Sequence, residues 1–222
     1  YDIQCAEQTR HKLEFQILQN QINPHFLHNT LNTIRYMAYV QKEENIVTVV
    51  DSLSVLLRNN MRANEYLTIE EEAQSLRSYL EIQQFRYQDI LDYEIQMDEE
   101  IYGYIIPKLT LQPLVENALY HGIKNKRGKG KILITGKKQG DKIIFQVIDN
   151  GKGMTEEELN SLRKKMAGTD TGDEAKGFGV SNVNQRIKYY YGEEYGVFFE
   201  SKENEGTNAT IIIAAKNIQL PS

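Results

Sequence analysis

The sequence predicts an α+β chain, with an N-terminal helical hairpin followed by a mixed sheet that helices cover on one face. Three observations carry this reading. Apolar residues in the first part recur at helical spacing, the pattern turns to alternation from Tyr93 onward, and capping signals open helices between the alternating stretches.

Leu13, Ile17, Ile22, Phe26, Ile34 and Ala38 approximate one helical stripe, interrupted near Pro24. Proline has no N–H and clashes with the preceding turn, so a kink or a local helix start is expected there. The polar stretch from Gln41 to Asn45 reads as a turn. Ile46, Val49, Val50, Leu53, Leu56 and Leu57 then form a second amphipathic helix. Two helices joined by a short loop pack antiparallel but cannot bury both faces. The expectation is therefore a homodimer in which two hairpins form a four-helix bundle.

Arg62 to Tyr66 reads as a linker and the likeliest hinge, dividing a first domain, 1–64, from a second, 65–222. Thr68 with Glu71 makes a capping box that starts a helix running toward Arg86. Tyr93 to Met97 alternates as a strand, and Pro107 is expected to open a helix that Gly122 stops near His121. Lys131 to Lys137 and Lys142 to Ile148 read as strands turning at Gly140-Asp141. Thr155 with Glu158 opens a short helix to about Met166, and 167–176 reads as a mobile loop that could act as a lid. A helix from about Val180 to Tyr191 and two strands, Gly196 to Ser201 and Asn208 to Ala215, complete the order.

The chain has 222 residues, 40% hydrophobic and 26% charged, enough for one large or two small packed domains. A net charge of −5 argues against nucleic acid as the main partner, and the basic residues Lys124 to Lys131 read as a solvated loop. The single cysteine, Cys5, excludes an internal disulfide. No apolar run approaches the roughly 20 residues that span a bilayer, so no membrane contact by this segment is expected.

No G-x-x-x-x-G-K-[ST], H-R-D or D-F-G is present. Three scattered pieces suggest a different nucleotide site. In Leu111 to Gly122, Asn117 and His121 are four apart and share a helix face, with Glu116 beside them. An amide oxygen suits Mg²⁺, and an imidazole can donate to a phosphate. Asp149-Asn150-Gly151-Lys152-Gly153 follows a strand. A carboxylate accepts only, so Asp149 would select the exocyclic amine of adenine, with Gly151 and Gly153 allowing close backbone approach. Gly177-Phe178-Gly179 opens a helix, whose first N–H groups suit an anion. Gly206-Thr207 is also explained by a plain turn.

Asparagine helix, D-x-G-x-G and G-x-G in this order resemble the GHKL (Bergerat-fold) ATP-binding domain, from about Tyr93 to Ala215. Gln21-Ile22-Asn23-Pro24-His25-Phe26-Leu27-His28-Asn29-Thr30-Leu31-Asn32 resembles the phosphoacceptor box of LytS/YesM-type sensor histidine kinases. Arg58, Glu81-Ile82-Gln83 with Arg86, Leu111 to Gly122 and Ser181 to Arg186 are similar to that family too.

The resemblance implies a two-component kinase core that uses ATP and Mg²⁺. His25 would be the phosphoacceptor, with His28 as its alternative. Asn117 would be the metal ligand, Asp149 the adenine reader, and Gly177 and Gly179 the phosphate-side glycines. Gly151, Gly153, His121 and Thr207 would complete nucleotide binding. Many histidine kinases place an acid after the acceptor; here Phe26 stands there. Glu116 is then a candidate base, and Asn29 would orient either the His25 ring or a water.

The implied partners are a homodimeric copy and the receiver domain of a response regulator. The implied location is cytoplasmic, in a protein anchored in the bacterial membrane by an upstream sensor. Rival readings are a GHKL ATPase driving a conformational cycle, a nucleotide-binding adaptor without kinase activity, and a serine kinase of the anti-sigma type.

Overall fold

A computed structural model of the chain describes residues 24–62, 64–88, 90–124, 126, 128–166 and 178–217. The expected helix before Pro24, the expected lid at 167–176 and Gly177 lie outside them. The chain divides into two compact units, Tyr1–Ala63 and Asn64–Ser222.

The first unit is a helical hairpin. Helix α1 (Pro24–Val40) starts at the proline that breaks the sequence pattern, and α2 (Glu44–Met61) follows a tight turn with Lys42 at φ 60°. The helices meet over Leu31, Ala38 and Val50. Arg35 Nε and Asp51 Oδ1 bridge them at 2.7 Å, an exposed pair of small energetic weight.

The second unit is built on a five-stranded sheet. Its strands are β2 (Leu91–Met97), β4 (Gly130–Gln139), β5 (Lys142–Asp149), β6 (Gly196–Lys202) and β7 (Gly206–Ala214), in the spatial order β2-β4-β5-β7-β6. Only the β2–β4 pair is parallel; the other three pairs are antiparallel. A mixed sheet is thus observed, and period-two patterning explains its one-sided core. Ile132, Ile134, Ile143, Phe145, Val147, Ala209, Ile211 and Ile213 are buried, while Leu133, Ile144, Gln146 and Ile212 between them are partly exposed.

The buried face is covered by α3 (Ile69–Arg86), α4 (Gln112–Asn117) with its continuation, and α6 (Phe178–Tyr191), with α5 (Glu156–Met166) against β6. Both expected capping boxes form. Thr68 N–H donates to Glu71 Oε2 at 3.0 Å and Thr68 Oγ1 accepts from Glu71 N–H at 3.2 Å. Thr155 and Glu158 repeat the exchange at 2.9 and 3.2 Å. Each such cap is worth about 1 kcal/mol.

Two expectations are corrected. Pro107 does not open a helix: it ends strand β3 (Ile105–Pro107), which pairs with β1 (Tyr66–Thr68) in a small second sheet. Proline's fixed φ suits an extended residue at a strand end as well as a helix start. Leu109, at φ 57°, then turns the chain, and α4 begins only at Gln112 with Pro113 in its first turn. Nor does Gly122 stop the helix, which continues as a π-helical turn over Ala118–Ile123.

Candidate active site

Beside the buried sheet face lies a cavity of about 250 Å³, walled by α4 and its π turn, by β5 and β7, and by the start of α5. Asn117, His121, Asp149, Gly153 and Thr207 all line it. Positions far apart in the chain therefore converge because strands β5 and β7 are neighbours and α4 crosses them. The apolar part of the wall comes from Leu114, Val147, Met154, Leu162, Phe199 and Ala209. Of these six only Leu114 lies in a stretch that the sequence singles out, Leu111 to Gly122, and none is expected there as a site residue.

Asp149 ends β5 and is 5% exposed. Its Oδ1 accepts the Gly151 N–H at 2.8 Å. Burial pushes its carboxyl up to about 6; the main-chain donors of Gly151 and Thr207 and the charge of Lys126 act in the opposite direction. Lys126 Nζ donates to Asn150 O at 2.5 Å, and Asn150 Oδ1 accepts the Lys131 N–H at 2.7 Å, so the turn after Asp149 is tied to β4.

Gly122 lines the floor beside this carboxylate, and Gly151 packs behind it without lining the cavity. A Cβ on Gly122 would lie 2.6 Å from Asp149 Oδ1, and one on Gly151 would run into the Gly122 backbone. The two main chains touch with no side chain between them. Gly153 stands at φ 64°, where L residues are strained, and a Cβ there would meet Lys202 O.

The π turn adds a residue to one helical circuit, a feature frequent at functional sites. It carries His121 and Gly122, and His121 is exposed while still lining the cavity. Glu116 is not among the lining residues; its Oε1 accepts from Gln112 Nε2 at 2.9 Å one turn back. Gly179 is exposed and also outside the lining, with a Cβ there meeting only Pro113 at 3.5 Å.

Asn184, within the Ser181 to Arg186 stretch, is buried. Its Oδ1 accepts the Val197 N–H at 2.9 Å and its Nδ2 donates to Met166 O at 3.2 Å, joining α6 to β6 and to the end of α5.

In the first unit, His25 is exposed in the first turn of α1. Asn29, one turn later, places Nδ2 3.3 Å from His25 Nδ1. His28 is exposed as well.

Among the described residues no three His, Cys, Asp or Glu side chains gather to cage a metal. A site with one amide oxygen, Asn117, fits an ion that keeps waters and rests on substrate phosphate oxygens.

Residues 13–91 match the histidine kinase family, and residues 107–217 match the family of histidine kinase-, DNA gyrase B- and HSP90-like ATPases. The chain is 38% identical over 205 residues to sensor histidine kinase YesM of Bacillus subtilis, covering 92% of this chain and 34% of that one. It is 30% identical to sensor histidine kinase BtsS of Escherichia coli K12, covering 89% and 33%. It is 34% identical to protein YwpD of Bacillus subtilis, covering 91% and 70%. The chain thus spans about a third of the length of the first two relatives. The catalytic domain of histidine kinase ThkA superposes with a TM-score of 0.52 at 19% identity, over 68% of this chain and 96% of that one, and shares the fold.

Proposed function

The chain belongs to the histidine kinase family, and on that premise we propose that it transfers the γ-phosphate of ATP to His25 and from there to an aspartate of a response-regulator receiver domain. The observation that carries this reading is the single cavity that Asn117, His121, Asp149, Gly153 and Thr207 share, in a unit distinct from the hairpin that presents an exposed His25.

In this reading Asp149 accepts the adenine amine, and the glycine floor lets the base lie against the main chain. Asn117 holds Mg²⁺, whose charge, when bound, offsets that of the phosphate oxygens. His121 donates to a phosphate at the open side of the cavity. A ring nitrogen of His25 attacks the γ-phosphorus, an N–P bond forms, the bond to the bridging oxygen breaks, and ADP leaves. Asn29 orients the ring, which its 3.3 Å approach supports. The protein's part is alignment and charge placement rather than covalent chemistry.

The exposed Phe26, Tyr36, Met37, Tyr39 and Val40 support pairing of two hairpins as a homodimeric four-helix bundle over residues 1–64, with 65–222 as the catalytic domain. Among the described residues no helix is long and apolar enough to cross a membrane. A membrane-anchored sensor elsewhere in the full protein is part of the same proposal.

The test is incubation with Mg²⁺ and γ-labelled ATP beside His25→Gln and a control without magnesium. Acid-labile label on the wild type alone is expected. Phosphate release without retained label would replace the kinase by an ATPase. Unchanged ATP turnover in Glu116→Gln would remove Glu116 as a base.

A further inference from the structure

Besides Asp149, one more carboxylate is buried among the described residues. Glu72, in the first turn of α3, is 2% exposed and lines no part of the cavity. Its Oε1 accepts the Leu111 N–H at 3.0 Å, and the main-chain amides of Leu109 and Thr110 act on its charge in the same direction. A run of main-chain amides turned toward one anion is also how loops bind phosphate. Here the protein supplies the anion itself.

Leu109 lies in the left-handed region, at φ 57°, and Leu111 is back in the helical region at φ −95° and ψ −34°. A leucine held in the left-handed region is strained, so the loop keeps this form only if its surroundings impose it. Arg186 of α6 closes the other side: its Nη2 donates to Leu109 O at 2.8 Å, and its charge faces Glu72. Burial pushes the Glu72 carboxyl up, while the three amides and Arg186 act against that push.

Leu111 is the residue before α4, so the conformation of 109–111 sets where that helix starts and points. Asn117 ends the regular part of the same helix, and His121 lies in its π turn. Arg186 stands on the helix that opens with Phe178-Gly179. The opposite end of the cavity is built differently, because Asp149 is anchored by Gly151 in the turn after β5 and by Thr207 of the neighbouring β7.

We infer that Glu72 is a positioning residue for the phosphate end of the nucleotide site, locking Leu109–Leu111 together with Arg186 and thereby placing Asn117. This rests on the ATP reading given above. Glu72→Gln keeps the shape and an acceptor oxygen for Leu111 but removes the charge that faces the amides and Arg186, and Arg186→Met removes the clamp from the other side.

The experiment measures dissociation constants on the whole chain for Mg-ATP and for ADP in EDTA, with amide hydrogen exchange over residues 109–117. Glu72→Gln is expected to weaken Mg-ATP about tenfold, leave ADP in EDTA within about twofold, and speed exchange at 109–111. Arg186→Met is expected to move all three the same way by less. A merely structural defect would lower the folded fraction without this split. Equal loss for both ligands, or no change in either variant, overturns the inference. Should Glu72→Gln fail to fold, the split in Arg186→Met decides alone. A wild type that binds neither ligand overturns the ATP reading, and this inference with it.

Discussion

The hairpin and the sheet domain solve burial in opposite ways. The domain closes on itself: Ile69, Leu76, Leu80, Phe145 and Ile211 are wholly inaccessible, and helices cover the sheet's apolar face. The hairpin leaves Phe26 65%, Tyr36 70% and Tyr39 73% exposed and buries little beyond Leu31, Ala38 and Val50. Two helices cannot surround their own apolar stripes, so the hairpin's core has to be completed by another surface. A nucleotide site needs rigid walls, whereas an acceptor side chain must be reachable. The difference in burial fits the two proposed tasks.

The sharpest way to separate the two regions is His25→Gln. Labelling should fall at least a thousandfold while nucleotide affinity, read by calorimetry, stays unchanged. Next in size is Asp149→Asn, which replaces an acceptor-only group with one that offers two donors. Affinity for ATP should drop about a hundredfold with the fold intact by circular dichroism. The hairpin alone is addressed by Tyr39→Glu with Val40→Lys. The dimer dissociation constant, by analytical ultracentrifugation, should rise at least tenfold while nucleotide binding is untouched.

A smaller effect is expected from Gly122→Ala. Its new methyl would crowd Asp149 Oδ1, and thermal melts should show a loss of about 1–3 kcal/mol. The smallest is a pH effect. Burial raises Asp149 from the ordinary 3.8 to about 6. Between those values the folded chain holds more protons than the unfolded one, so this group's contribution to stability falls as pH rises through the window. Wild type should therefore lose stability relative to Asp149→Asn between pH 4 and 7, by no more than about 3 kcal/mol. An equal pH response in the two proteins would show that the carboxylate is more hydrated than its burial implies.

Much of the fold was legible because its signals are local. The two capping boxes start α3 and α5, the alternation gives the strand faces, and Gly140-Asp141 turns β4 into β5. What was not legible depends on distant partners. Strands β1 and β3 are three residues each, too short to alternate, and exist only through each other, so Pro107 was read as a helix start. The parallel β2–β4 pairing leaves no local trace either.

In the site, the spacing of Asn117 and His121 is local, and both reach the cavity even though the turn between them is wider than an α-helix. Glu72 escaped notice because it reads as one more acid in a first turn already rich in them. Only the loop it meets, 39 positions away in sequence, reveals its place.

The seam where Gly122 and Gly151 press together has a consequence for any compound that competes for the cavity. Bacteria commonly escape such compounds by one nucleotide change that thickens a pocket wall. Along this seam any larger residue collides with the opposing main chain or with the carboxylate that the natural ligand would use. An inhibitor that draws its affinity from the Gly122 side of this seam would therefore face a surface with little room to mutate, since Gly151 closes it from behind, and escape would have to come from the apolar wall.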